Sequence, residues 1–298
     1  MIEIVAAEAD YERLDLFLAE KLEVSRKRAQ DLIKNENIRS EKRIKPAMKV
    51  LKGQKFYVEF PESCNVKRVE GEPVDFEVVY EDEYLLVINK PAGLVVHPAP
   101  GNWHNTLVNG LVYRYPEIAK LPGAWLRPGI VHRLDGGTSG LMIVARDAKT
   151  MGRLGRMFQY REIDKQYIAL AHGRPKKPEA IISGPIDHDP DNYYFQAIVA
   201  GGKPSLTGYK VLWTRNDISL VNFKLYTGRT HQIRVHFAAL GCPLVGDIAY
   251  GAKDKGVGRV LLHSWRLAFM HPMTDENLSF REYIPEEFTK YISKNCRK

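Results

Sequence analysis

The sequence predicts an α+β protein, with a small N-terminal α/β unit followed by a larger domain on a mostly antiparallel mixed sheet. Three observations carry this. From Val74 onward strand-like runs outnumber helical ones. The connections between those runs are of hairpin length, which joins antiparallel rather than parallel neighbours. The first 60 residues have a different pattern, with helical spacing, a strand at their end and a different charge.

In chain order, Leu14, Phe17, Leu18 and Leu22 recur on one helical face. Ser25 is placed to N-cap a second helix whose apolar side is Ala29, Leu32 and Ile33. The first turn of that helix carries Arg26, Lys27 and Arg28, cations that oppose the helix dipole, so something other than helix stability favours them. Pro61 to Pro73 is polar and reads as a linker. The expected division is therefore an N-terminal unit over 1–62, a linker over 63–75 and a main domain over 76–298. Strands are expected at Phe76–Tyr80, Tyr84–Ile88, Gly140–Ala145, Gln166–Ala171 and Ile218–Tyr226, the last with one buried face set by Val221, Phe223 and Leu225. Helices are expected at Ala148–Arg161 and at Thr230–Leu240. The second has Thr230 as N-cap, Ile233, Phe237 and Leu240 as its core face, and Gly241 at its C-terminal exit.

Composition narrows the class further. The 298 residues include 11 Phe and 15 Tyr within a 44% hydrophobic fraction, enough apolar surface to offset the entropy of ordering. The formal net charge of +8 favours an anionic partner, nucleic acid before a membrane surface. Val24 to Lys55 holds eleven Lys or Arg against three acids, so this short stretch has a surplus equal to that of the whole chain. Cys64, Cys242 and Cys296 are too few and too far apart for a disulfide framework or a thiolate zinc site, and a reducing cytoplasm is the expected location. The acidic first twenty residues do not resemble a secretory signal, and no apolar run is long enough to span a bilayer.

Several segments bear on chemistry. Asp135 opens a turn of small residues, Gly136-Gly-Thr-Ser-Gly140, that lets a substrate approach closely. It reads either as a nucleophile or base beside Arg133, or as a residue that caps a turn. Arg234 lies beside the core face of its helix, and a buried guanidinium needs an anionic partner, for which Asp135 is a candidate; the other reading is a solvated surface arginine. Tyr167 sits on a strand, as a core residue or as part of a site. The nine histidines do not form a metal motif: His231 and His236 are five apart, and H-E-x-x-H does not occur. The sequence also lacks a Walker loop and a G-x-S-x-G elbow, so ATP use and serine-hydrolase chemistry lose support.

Taken together, these segments resemble the RluA/RluD-type pseudouridine synthases over nearly the whole chain. His132-Arg-Leu-Asp135 with Thr138-Ser-Gly140 resembles the family's catalytic segment. Lys165-Gln-Tyr167 resembles its second motif, and Gly228-Arg-Thr-His-Gln-Ile-Arg-Val-His236 its third. Asn89-Lys-Pro-Ala-Gly93, Val96-His-Pro98, Gly202-Lys203, Leu261-Leu-His263 and His271-Pro272 also fit. Arg13-Leu-Asp15 with Ser25-Arg26 and the basic second helix resembles an S4 RNA-binding domain.

The resemblance implies a pseudouridine synthase fold and the isomerisation of uridine to pseudouridine in RNA without a cofactor or metal. It makes Asp135 the catalytic carboxylate, Tyr167 the residue packed on the target base with a part in proton removal, and Arg234 the partner of Asp135. Arg26, Lys27, Arg28, Arg133, Arg229 and His231 are the expected RNA contacts. Large-subunit ribosomal RNA is the expected substrate and transfer RNA the alternative, with the chain acting as a monomer away from membranes. Two other classes remain: a non-catalytic ribosome-associated RNA-binding protein, and a cofactor-free glycosidic hydrolase, which would more naturally show paired carboxylates. The chain departs from the family in three places. Gly136 and Gly137 after the acid imply a flexible loop. Asp191-Asn-Tyr-Tyr-Phe-Gln196 is aromatic where the family tends to be basic. Asn35 to Lys42 lacks the usual glycine turn.

Overall fold

A computed structural model of the chain describes residues 2–7, 10–22, 26–40, 43–59, 69–99, 101–121, 127–253 and 255–296. The N-terminal unit runs β1 (Ile2–Ala6), α1 (Leu14–Lys21), α2 (Arg26–Lys34), β2 (Ile38–Arg39) and β3 (Lys55–Glu59). Its strands form one antiparallel sheet in the order β1-β3-β2. The sequence pattern predicts only the closing strand. It misses β1, which borders the acidic N-terminal stretch and pairs with β3 along its whole length. Leu14, Phe17 and Leu18 of α1 pack with Ala29, Leu32 and Ile33 of α2 over Phe56 and Val58 of β3. The turn into β2 does without glycine by holding Glu36 at φ 58°, a left-handed conformation that L residues seldom adopt.

The proposed Ser25 cap lies outside the described residues, as do the side chains of Lys27 and Arg28. Arg26 has a structural partner. The Asp15 carboxylate, fully buried, accepts bonds from Arg26 Nε at 3.0 Å, from Arg13 Nε and Nη2 at 2.9 Å each, and from Gln30 Nε2 at 2.6 Å. Hydrogen bonding from Arg13 leads the causes that hold the Asp15 carboxyl well below the usual carboxylate range. The cation that opposes the α2 dipole is thus tied down by an acid from α1.

The second part runs β4 (Glu77–Glu81), β5 (Leu85–Lys90), α3 (Leu107–Arg114), β6 (Ser139–Ala145), α4 (Ala148–Tyr160), β7 (Asp164–His172), β8 (Glu179–Ser183), β9 (Ile186–His188), β10 (Gln196–Ile198), β11 (Leu206–Arg215), β12 (Ile218–Leu225), α5 (Gln232–Ala239), β13 (Leu262–Met270), β14 (Asn277–Arg281) and α6 (Glu286–Asn295). Residues 63–68 of the expected linker lie outside the description. Its later part packs against α3 and the segment before it. Val69 packs on Val108 and Val112 of α3, and the Glu72 carboxylate accepts the Asn105 N–H at 2.7 Å.

Nine strands form one mixed sheet in the order β4-β5-β6-β13-β7-β12-β11-β8, with β14 beside β13, while β9 and β10 form a separate hairpin. Every pair in the large sheet is antiparallel except β6 with β13, which are parallel. Both faces are covered. On one, α3 and α5 pack through Leu107, Leu111, Ile233 and Phe237 against Ile88, Met142, Val144, Val221 and Phe223. On the other, Leu154 of α4 covers Leu85, Val87 and Ile143, and Phe288 of α6 covers Ile168, Leu170 and Leu220. This corrects the single buried face expected for β12, since Ile218 to Val221 are buried on both sides. Two further expectations fail at α5. His231, at φ 55°, is the N-cap rather than Thr230, and it makes no side-chain cap. Leu240 is 43% exposed and does not belong to the core face.

Candidate active site

Asp135 sits in the turn that enters β6, where the Thr138 N–H bonds the Asp135 carbonyl at 3.0 Å. The two glycines that follow are held at their carbonyls. Gly136 O accepts Gly93 N at 2.8 Å and Lys90 Nζ at 3.2 Å, and Gly137 O accepts Arg259 Nη1 at 3.4 Å. The flexibility expected from two glycines is therefore offset from both sides of the loop. Lys90 is fully buried, and its other two bonds go to the carbonyls of Pro91 and Leu94 at 2.8 Å each. Burial pushes its amine down to about 7, opposed by the charge of Asp135.

Arg234 projects from α5 toward this turn. The helix is pinned by its neighbours: Gln232 Nε2 donates to Leu206 O and Thr207 Oγ1, and the His236 ring bridges Thr207 Oγ1 and Gly184 O. Arg234 Nη1 reaches Asp135 Oδ2 at 3.3 Å, the pair expected from sequence. A second partner, which the sequence reading did not find, binds it more closely. Buried Asp247 takes both Arg234 Nε and Nη2 at 2.8 Å, a two-point grip, and the guanidinium lies 4.8 Å from the centre of the Tyr250 ring. Burial alone lowers the Arg234 pKa. Asp247 first, and then Asp135, more than reverse this and raise it.

Tyr167 on β7 is 6% exposed and lines the same cavity as Asp135, so it belongs both to the core and to the site. Burial raises its pKa, which leaves the phenol a neutral, flat wall and hydrogen-bond donor, a state suited to packing rather than to taking a proton. The cavity, about 440 Å³, is also lined by Arg133, Lys165, Arg229, His231 and Thr138. Its size is in the range that holds one small ligand, about 300–1,000 Å³. His231 Nδ1 contacts the Tyr250 hydroxyl at 2.8 Å and its Nε2 stands 3.8 Å from Asp135. Burial holds its pKa below the ordinary histidine value, so near neutral pH the ring carries no charge. His132 also lines the cavity, where its Nε2 accepts the Ile143 N–H at 2.9 Å and its ring stacks on Phe158. The Thr138 hydroxyl is buried, with no hydrogen-bond partner among the described residues. Arg133 and Arg229 are exposed at the cavity, whereas Arg26 belongs to the N-terminal unit.

The cavity joins an acid, a tyrosine and a doubly anchored arginine from three separate segments. The RNA pseudouridylate synthase family model matches residues 84–239, and the chain belongs to that family. It is an RNA pseudouridine synthase, an isomerase. It is 40% identical to the ribosomal large subunit pseudouridine synthase D of Neisseria meningitidis serogroup B, over 94% of this chain and 78% of that one. It is 38% identical to an RNA pseudouridine synthase of Aquifex aeolicus, over 96% and 94% of the two chains. Among solved structures, human RNA pseudouridylate synthase domain containing 1 superposes with a TM-score of 0.58 at 30% identity, over 72% of this chain and 85% of that one.

Proposed function

We propose that this synthase isomerises uridines of large-subunit ribosomal RNA, with Asp135 as its catalytic carboxylate and no cofactor. The observation that carries the proposal is the convergence of Asp135, Tyr167 and Arg234 on one cavity of nucleotide size. In the reaction the N1–C1′ glycosidic bond breaks, the uracil turns, and C5 bonds to C1′. The proton on C5 is lost and N1 gains one, so atoms balance without an electron carrier or a group donor. The target base has to leave its stack to reach Asp135, and Tyr167 offers the flat wall against which it rests. Arg234, held from behind by Asp247, orients the Asp135 carboxylate. The Thr138 hydroxyl is free to hydrogen-bond the nucleotide.

Residues 1–62 act in this reading as an S4-like RNA-binding domain that supplies phosphate affinity, ahead of a linker and the catalytic domain. Ribosomal RNA is favoured over transfer RNA because the relatives named for a substrate act on the large ribosomal subunit. The chain works as a monomer in the cytoplasm, and no helix among the described residues is long and apolar enough to cross a membrane.

The test is tritium release from large-subunit ribosomal RNA transcribed with tritium at uridine C5. Release by the wild-type protein and its loss in Asp135→Asn are expected. Release by the variant at the wild-type rate would remove Asp135 as catalyst. Release from transfer RNA alone would transfer the proposal to that substrate.

A further inference from the structure

The catalytic cavity has a neighbour. A second cavity of about 480 Å³ lies alongside it, and the two share Lys165, Arg229, Phe158 and Leu225 as walls. The second is bordered by four cations, Arg161 at the end of α4, Lys165 on β7, Lys224 on β12 and Arg229 before α5, with Glu162 and Asp164 as its acids. Asp164 is already engaged, by Lys224 at 3.2 Å and by Gln166 at 3.1 Å, with Arg266 3.7 Å away. Glu162 is exposed.

Among the described residues only Lys224 of the four has a carboxylate partner; Lys165 and Arg229, on the wall shared by the two cavities, have none. The Arg229 guanidinium donates to the carbonyl of Pro204, at 3.2 Å. The ammonium of Lys165 stands over the Phe158 ring at 5.1 Å. Lys165 is partly buried and sits at the junction of both spaces, a costly place for an uncompensated charge. Burial accordingly draws its pKa down to about 8.

Resting on the synthase reading above, we infer that this second cavity is a phosphodiester subsite, in which Lys165, assisted by Arg229, binds the RNA backbone phosphate next to the flipped nucleotide. A nucleotide whose base enters the Asp135 cavity carries a phosphate on each side of its ribose. The shared wall places an unpaired ammonium where one of those phosphates passes from one space into the other. Lysine suits the task as a compact point charge on a flexible stem. Lys165 is a binding and positioning residue here and takes no part in bond making.

The probe is large-subunit ribosomal RNA transcribed in vitro with tritium at uridine C5. Filter binding across a salt series and tritium release are measured for the wild type, Lys165→Met, Lys165→Gln and Lys165→Arg. The two uncharged variants should each flatten the slope of log affinity against log salt by about 0.7, the share of one phosphate contact on a single strand. Their KM should rise about tenfold, the loss of one charged hydrogen bond, with kcat changed much less. Lys165→Arg should keep the wild-type slope. A slope unchanged in Met and Gln alike, a loss confined to kcat, or an Arg variant as impaired as Met would each overturn the inference. The salt slope needs no turnover. A wild-type protein that binds the transcript but releases no tritium would therefore count against the ribosomal reading and leave the subsite still decided by the slopes.

Discussion

Asp247 is the residue on which Arg234 most depends, because it takes two of the guanidinium's donors at 2.8 Å while Asp135 takes a third at 3.3 Å. Asp247→Ala leaves a buried cation with one longer partner, and a loss of about 3–5 kcal/mol in urea unfolding is expected, together with a large fall in tritium release. The need for an anion beside Arg234 was legible in the sequence, but its principal identity was not. Asp247 belongs to no motif, and its only signal is a lone acid in the apolar run Leu244-Val-Gly-Asp-Ile248. Asp135 and Tyr167 were legible because their segments are distinctive. The double role of Tyr167 was not, because burial and site membership are decided by packing. Lys165 gives a residue-scale test by pH. Its folded pKa of about 8 lies below the ordinary lysine value of 10.5, so between those values the unfolded chain binds more protons and stability rises with pH. Lys165→Met should therefore melt above the wild type at pH 7.5, and the gap should close as pH rises to about 10. A gap that widened with pH would contradict this assignment.

Among the elements, β6 and β13 decide where the acid sits. Gly140 has φ 114°, and a Cβ placed there would stand 2.2 Å from the Ser264 carbonyl oxygen of β13. Its glycine is required by a close approach of two strands, beyond any freedom it gives the turn. Gly140→Ala should lose at least about 1–3 kcal/mol from backbone strain alone, read by urea unfolding, and should displace the turn that carries Asp135. Strands with apolar runs, β5, β6 and β7, were legible because both of their faces are buried. β8 and β14 were not, since their short alternating sequences match loops as readily as edge strands. β13 escaped for another reason: its pairing with β7 breaks register between Ser264 and Arg266, which interrupts the alternation a reader looks for. At α5 the left-handed His231 overrode Thr230 because Gln232, bonded to Arg229 N and Thr227 Oγ1, fixes the approach to the helix.

Across the whole molecule, charge and chemistry occupy different stretches of chain. The densest run of cations, eleven Lys or Arg against three acids over residues 24–55, lies in the N-terminal unit, whose core draws on residues 7 to 58, whereas the candidate site draws on residues 131 to 262. Removing residues 1–60 should therefore raise KM for the transcript and flatten the salt dependence of binding while leaving kcat within a few fold. An unaltered salt slope would count against the RNA-binding role of that unit.

The position of β13 has a consequence in time. It joins the half-sheet β4-β5-β6, reached by the Asp135 turn, to the half-sheet β7-β12-β11-β8, which carries Tyr167 and packs under Arg234. Ser139 and Gly140 pair with His263 and Ser264, partners more than a hundred positions later in the chain. Contacts of such separation form late in folding. A chain still emerging from the ribosome can order each half, yet it cannot bring acid and arginine together until β13 has been made. The enzyme gains its competence for RNA chemistry only once that strand has joined its two halves.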